Sequence, residues 1–590
     1  MNSFLMAALF CVVALSFIPC AQAAADDPKP ASADNQPRKI YAHYMACYPV
    51  ASAAPAWERA HDGPNVRHDG PAKLDRFGGQ WRNWPLVPQN MEVSLEESMD
   101  LEIRRAMRAG IDGFVVDMAN EQYWYRVIDA MFKVAEAKKY PFEISVVLDG
   151  VPDPVGQIKW LLDTHGKSPN LAGRDGKPFV AGYYSASRVL DIAAAALAKQ
   201  DGMQGRTPAD LVKSRELRTT PEGWQLIADA YREMDRRVGT PVYWHFSLDG
   251  LFQNVDPQYV KPEMIVQASE VFAKNGFAVG AFLGFPEEEA AATAVTGAGG
   301  EWAQPMWYQY ENAFNGFNQE TKGFETFRMC WERARKYNST VIQFITWNDY
   351  TESTHLAPAY QTRYSILDLN AYFAQWWETQ QQPRVDNDRI YLSYPAYVPG
   401  AKTYPYESRE YSQKYAGVLE VLTILPEAAK VRLARRGIEY DAPAGLFARQ
   451  FPAEAGSIEV EIVRGEKVST HLRAPEPITD KPFREQTGMV CFSSEEQRQW
   501  KADFPETSPF FPADYGDDNG NGLPNWFEMY WFGKFLDYTT TTGVDPNADP
   551  DGDGRTNLQE YMDQTNPIIK DTKANPAVST TAPATKAASH

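Results

Sequence analysis

Between residues 38 and 384, short apolar runs alternate with longer stretches in which apolar positions recur every three or four residues. The runs predict eight strands: "KIYAHYMAC" (39–47), "GFVVDMA" (113–119), "FEISVVLD" (142–149), "PFVAGYYS" (178–185), "PVYWHFS" (241–247), "FAVGAFLGF" (277–285), "AQPMWYQY" (303–310) and "VIQFITW" (341–347). Several are apolar at successive positions, leaving neither face for water, as in a parallel sheet covered by helices. The segments between, such as "LEESMDLEIRRAMRAG" and "GFETFRMCWERARKY", carry the helical period. Eight strands with interleaved helices predict an α/β fold, a (β/α)8 TIM barrel. The stretch 186–240, rich in Ala, Arg and Asp, is expected to add a helix.

At Pro383 the pattern changes. Segments such as "VLEVLTIL", "VRLARRGIEYDA" and "SIEVEIVRG" alternate over short lengths with turns between them, predicting a small antiparallel β-sandwich over 385–492. Residues 493–568 turn acidic and rich in Gly and Asn, and 569–590 form a Pro/Thr/Ala tail expected to be disordered. At the other end, residues 1–23 hold an apolar stretch closed by Ala21-Gln22-Ala23, the small-x-small pattern of a secretory signal peptide, though no Lys or Arg precedes it. The alternative, a membrane anchor, needs a longer apolar run of roughly 20 residues. Residues 24–37 read as a disordered leader. The expectation is a secreted, periplasmic or cell-surface protein with no membrane span once the signal is removed.

Composition narrows the function classes. A net charge of −19 argues against nucleic acid as partner, because phosphate contacts need clustered Lys and Arg. No zinc-type cysteine pairing and no Gly-rich phosphate loop is present. Beyond the signal, Cys47, Cys330 and Cys491 are widely spaced and odd in number, so no disulfide framework is implied. The 16 Trp, 30 Tyr and 30 Phe suit either a large core or platforms for sugar rings.

The chemistry concentrates at "FITWNDYTESTH", residues 344–355. If "VIQFITW" is the eighth barrel strand, Asn348 onward lies at its C-terminal end, where barrel enzymes build their sites. Asp349 and Glu352 are spaced to reach one cavity as a carboxylate pair. Glycoside hydrolysis uses such a pair, one acid protonating the leaving oxygen while one carboxylate activates water or attacks the sugar. The plainer alternative makes Asp349 a turn cap and Glu352 a surface ion-pair partner. Asp117 and Asp149 end the second and third strands, and His245 and Asp249 accompany the fifth; all four are candidate substrate contacts, as are Asn348 and Tyr350. Trp307, Tyr308 and Trp347 are candidates for stacking platforms or for core. His43 reads as a core histidine bonded to a neighbour.

"TWNDYTESTH" resembles the "TWNDYGES-H" signature of glycoside hydrolase family 71, the α-1,3-glucanases or mutanases. "RRAMRAGIDGFVVDMAN" and "GRDGKPFVAGYYS" are similar to that family's second- and fourth-strand segments, and "GIEYDAPAGLFARQFPAEAGSIEVEIVRG" resembles its β-domain, so the likeness covers roughly residues 38–470. Thr351 stands where the family has Gly, and "QPMWYQY" lacks its Ser-Pro. The resemblance implies an inverting endo-hydrolase of α-1,3-glucan, with Glu352 as general acid and Asp349 as general base, or the reverse. Two other readings compete: a barrel hydrolase of another α-glycan such as α-mannan, and an inactive carbohydrate-binding surface protein.

Two twelve-residue windows have the EF-hand spacing, with oxygen side chains at positions 1, 3, 5, 9 and 12 and Gly at 6. In "DDNGNGLPNWFE" the ligands would be Asp517, Asn519, Asn521, Asn525 and Glu528 with the carbonyl of Leu523. In "DPDGDGRTNLQE" they would be Asp549, Asp551, Asp553, Asn557 and Glu560 with the carbonyl of Arg555. The windows resemble the calcium loops of dockerin and thrombospondin type 3 modules, which implies structural Ca2+ and no catalytic cofactor. The bland alternative is a solvated acidic linker.

Overall fold

The structure is a computed structural model. It describes residues 37–46, 94–118, 122–148, 153–182, 186–203, 205–252, 255, 259–281, 287–307, 310–312, 317–319, 322–350, 353–359, 361–396, 398–399, 417–474, 477–478, 489–496, 500, 520–523, 527–528, 532, 544–563, 567–568 and 570. Residues 1–36, read above as a signal peptide and most of a leader, and residues 571–590 lie outside these.

Eight parallel strands form one closed ring. They are β1 (Lys39–Met45), β2 (Gly113–Met118), β3 (Glu143–Leu148), β4 (Lys177–Gly182), β5 (Tyr243–Ser247), β6 (Ala278–Gly280), β7 (Glu301–Met306) and β8 (Val341–Phe344). The hydrogen-bonded order runs β3-β2-β1-β8-β7-β6-β5-β4, and β4 returns to β3 through Val147–Ala181 and Leu148–Gly182. The chain is thus a TIM barrel, and each of the eight expected runs supplies a strand. Helix α1 (Leu95–Arg108) starts from a capping box between Ser94 and Glu97, and α2 (Gln122–Lys138) and α3 (Pro154–His165) follow the next two strands. The stretch 186–240 carries four helices, Ala186–Leu197, Pro208–Val212, Arg215–Arg218 and Pro221–Val238, in place of the one expected.

Side-chain alternation separates two layers. Tyr41, Val115, Val147, Phe179, Tyr243 and Val341 fill the barrel interior, while Phe114, Val116, Ile342 and Phe344 face the helices. At the N-terminal end a polar plug closes the barrel. Arg174 pairs with Glu301, which also accepts from Tyr243 (2.7 Å) and Thr340, and Tyr41 donates to Glu143 at 2.6 Å.

The sandwich consists of two antiparallel four-stranded sheets. The inner sheet contains β9 (Arg389–Pro395), β10 (Val418–Leu425), β13 (Gly445–Pro452) and β16 (Met489–Ser493); the outer contains β11 (Ala429–Leu433), β12 (Ile438–Ala442), β14 (Glu459–Arg464) and β15 (Lys467–Arg473). Tyr391, Leu422 and Ile424 of the inner sheet pack with the barrel, whereas Ile390, Leu392 and Val421 pack with the outer sheet. Burial on both faces explains the almost unbroken apolar run of "VLEVLTIL"; the outer sheet, wet on one face, alternates.

The joint is polar as well as apolar. Buried Glu420 on β10 accepts from Arg328 at 2.9 Å on α11 (Glu325–Lys336). Glu496 accepts from the Tyr364 backbone at 3.0 Å and Ser365 Oγ at 2.8 Å, capping α12 (Ser365–Thr379) from 132 residues away. Trp500 stacks on Tyr364 and donates to Asp368 at 3.0 Å.

Candidate active site at the barrel mouth and a candidate cation loop

Beyond β8 the chain makes a loop whose two stems are stitched together. Thr346 N–H donates to Thr354 O (2.9 Å), Leu356 N–H to Thr346 O (3.0 Å) and Ala357 N–H to Trp347 O (2.7 Å). The loop is also bound to β1: Trp347 N–H donates to His43 O at 2.5 Å, and both ends of the Asn348 amide bond Met45, accepting from its N–H at 2.6 Å and donating to its carbonyl at 3.0 Å. Asn348 therefore continues the β8–β1 ladder with a side chain. Asp349 follows, buried at 7% exposure, with its own N–H on Thr346 Oγ1 at 2.8 Å.

Parallel strands deliver all their C-terminal ends to this mouth. Asp117, next to last in β2, is in register with Met45, so Asp117 and Asn348 meet at the end of β1 with Asp349 the next residue along. Asp249 sits just past β5, accepting from Ser247 Oγ at 3.0 Å. His245 lies lower on β5 inside the barrel. Burial first, then His43, lowers its pKa to about 3; burial lowers His43 to about 4 against the bond between its Nε2 and Gln343 Oε1, 3.0 Å long. Both imidazoles are neutral at pH 7, and His43 is the bonded core histidine the sequence suggested.

Trp347 takes the core alternative. Its ring packs on Phe114 (centroids 5.1 Å apart) in the outer layer, and its indole donates to buried Glu102 on α1, so no ring face is open to a sugar. Trp307 is buried beside Cys330, whose thiol lies 3.9 Å from its carbonyl. Tyr350 is buried with its ring 4.9 Å from that of His355, a histidine held neutral by burial that takes its pKa down to about 3. Glu352, Asp149 and Tyr308 lie outside the described residues. Two participants went unread in the sequence although each leaves a signal: Gln343 is the polar residue within an apolar strand, and Glu102 is an acid on the apolar face of α1.

The second acidic window has the geometry of a cation loop. Among the described residues, Asp549, Asp551 and Asp553 are the one group of three ligating side chains close enough to share an ion, with oxygens within 4.8 Å of one another. Gly552 and Gly554 adopt φ of 73° and 94°, turns that side chains with a Cβ resist. Their N–H groups donate to Asp549 at 2.8 and 2.9 Å, and Arg555 N–H to Asp553 at 2.9 Å, which orients the carboxylates inward. Asn557, 1% exposed, donates to Asp545 O at 2.8 Å, while its Oδ1 has no hydrogen-bond donor. Glu560 is fully buried in the first turn of α13 (Asn557–Asp563). Burial above all, with Asp553 and Asp549 alongside, raises Asp551 to about 6, the mark of crowded anions. These donors fit a hard divalent cation. Of the first window Asn521, Leu523 and Glu528 are described: Leu523 N–H donates to Asn521 Oδ1 (2.8 Å), and the Asn521 amide donates to Glu528 at 2.7 Å. Asp517, Asn519 and Asn525 lie outside the described residues.

No protein-family model matches the chain, and no curated protein matches it. Among solved structures it is similar to a GH99 endo-alpha-mannosidase from Bacteroides thetaiotaomicron (12% identity, 58% of this chain and 98% of that one, TM-score 0.38). It is also similar to a glycoside hydrolase-like protein (15% identity, 60% and 95%, TM-score 0.30) and to a glycosyl hydrolase family 2 member from Bacteroides cellulosilyticus (9% identity, 66% and 44%, TM-score 0.30). The architecture rests on the strand register above, to which these likenesses add nothing.

Proposed function

We propose that the protein is a glycoside hydrolase of α-1,3-glucan, working at the C-terminal mouth of its barrel by an inverting acid–base mechanism. Asp349 is the general base that draws a proton from water, and Glu352 the general acid that protonates the departing glycosidic oxygen. Inversion needs about 6.5–9.5 Å between the two carboxyl groups, room for that water. One observation carries the reading: a buried carboxylate, Asp349, on a loop whose stems are bonded to each other and to β1, at the rim that Asp117 also reaches. Such anchoring presents a base without the reorganisation a free loop would need. The choice of α-1,3-glucan is supported by "TWNDYTESTH".

The test is release of reducing ends from insoluble α-1,3-glucan and, separately, from α-mannan. Asp349→Asn is expected to lower kcat by about 10²–10⁴-fold, and the first product formed is expected to carry inverted anomeric configuration by NMR. Wild-type turnover in the variant overturns the catalytic role of Asp349. Release from mannan alone replaces the substrate, and binding without release replaces the enzyme by a carbohydrate-binding protein.

We further infer that Asp549, Asp551, Asp553, Asn557, Glu560 and the Arg555 carbonyl hold one Ca2+, whose charge offsets the repulsion among the three aspartates. The role is structural. With residues 1–23 read as an export signal, millimolar affinity suffices, because calcium outside cells is abundant.

A further inference from the structure

We propose that Glu102, on the outer helix α1, is a positioning residue for the reaction at the barrel mouth: through the indole of Trp347 it holds the stem of the loop that presents Asp349. The inference rests on the reading of Asp349 as a reacting group.

Glu102 lies at 0% exposure on the face of α1 that also buries Met99, Ala106 and Arg105, whose guanidinium attracts the carboxylate. An acid in that place is costly unless something requires it. Its Oε2 accepts the Trp347 indole N–H, and its Oε1 has no hydrogen-bond partner. The helix is itself held in place. Its capping box closes one end, and Asn370 on α12 donates to Ala109 O at 2.8 Å at the other. From Trp347 the chain of contacts runs directly to the site. The Trp347 backbone bonds His43 on β1 and Ala357 on the returning stem. Thr346, one residue before it, accepts the N–H of Asp349, two residues after it. The ring that Glu102 pins is thus carried by the same short segment on which the carboxylate is mounted. An acceptor there only to satisfy a buried indole would affect stability and leave the loop's bonds and turnover alone. A positioning residue affects both, since misplacement by about 1 Å costs on the order of 100-fold in rate.

The experiment uses the full chain carrying Glu102→Ala, Glu102→Gln, Trp347→Phe or Asp349→Asn, and two readouts. The first is kcat and KM measured separately. The second, which needs no substrate, is hydrogen exchange at the Leu356 and Ala357 amides. Glu102→Ala is expected to lower kcat roughly ten- to hundred-fold with KM unchanged and to speed exchange at both amides. Glu102→Gln, which keeps an acceptor for the indole, recovers most of the loss. Trp347→Phe behaves as Glu102→Ala, and the double variant adds little, because both break one contact. Should Glu102→Ala fail to fold, Trp347→Phe carries the same comparison. A folded variant with faster global unfolding but wild-type kcat and wild-type exchange at Leu356 and Ala357 overturns the proposal. Full activity of Asp349→Asn overturns the reading of Asp349 instead, and the exchange result still decides whether Glu102 holds the loop.

Discussion

Single side chains around the site are governed by burial more than by pairing. Burial raises Glu102 to about 7, against the pull of Arg105 and the indole, and raises Glu496 to about 8, against the pull of Arg363 and its hydrogen bonds. Each of these acids binds its proton more tightly in the folded chain. Its stabilising contribution is therefore complete below the ordinary carboxylate pKa of 4.5 and is lost as pH rises through those values. His43, His245 and His355 act in the opposite sense: kept neutral by burial, they stabilise above their ordinary 6.5 and lose that contribution as pH falls toward 4 and 3. Between pH 6.5 and 8 the histidines are silent, so stability is expected to fall as pH rises there, chiefly through Glu496. Glu496→Gln should flatten that limb in urea midpoints measured across the range. An alkaline limb the substitution leaves unchanged would mean another group titrates.

At the scale of elements, the joint between α11 and β10 depends on one glycine. Gly323 lies just before α11 with φ of 72°, and a Cβ there would stand 2.6 Å from Cβ of Glu420, the acid that Arg328 holds. Gly323→Ala is expected to lose about 1–3 kcal/mol from left-handed strain, with a further cost because Glu420 must shift. Gly437→Ala, also left-handed at φ of 63° but with nothing within 4 Å, isolates the strain. Denaturant titrations should show the larger loss for Gly323→Ala, and equal losses would mean that the joint yields without cost.

The whole molecule carries a net charge of −19, and three of its carboxylates, Asp549, Asp551 and Asp553, bring oxygens within 4.8 Å of one another in the candidate cation loop. A cation that binds only the folded chain stabilises it by mass action, by about 2.7 kcal/mol at a hundred times Kd. Calcium should therefore raise Tm, and EDTA should reverse the rise. Asp549→Ala with Asp553→Ala should abolish the shift while turnover at a temperature where the variant stays folded is unchanged. A wild-type Tm indifferent to calcium would refute the site. Beyond the loop, barrel and sandwich share buried side chains across the inner sheet, with Glu496 and Trp500 fastened to α12, so the two share a core rather than meeting at a wet interface.

Features that depend on chain-local physics were legible in the amino-acid order. The eight strand runs, the turn from barrel to sandwich near Pro383 and the glycine turns of the second acidic window follow from periodicity and from Gly at positions of positive φ. The placement of Asp349 at the mouth was legible for the same reason, because a strand's end is a local fact. What tertiary structure alone decided is which face each side chain meets. "FITW" is apolar throughout, so nothing in it says whether Trp347 looks into the barrel or out. The outer layer took the ring, because β2 offered the Phe114 ring there and α1, 245 residues away along the chain, the Glu102 carboxylate. Glu102 and Gln343 leave a mark as polar residues in apolar surroundings, but their roles, like that of Glu496, were illegible on that account: a buried polar group is defined by its partner, and these partners lie 131 to 300 residues away.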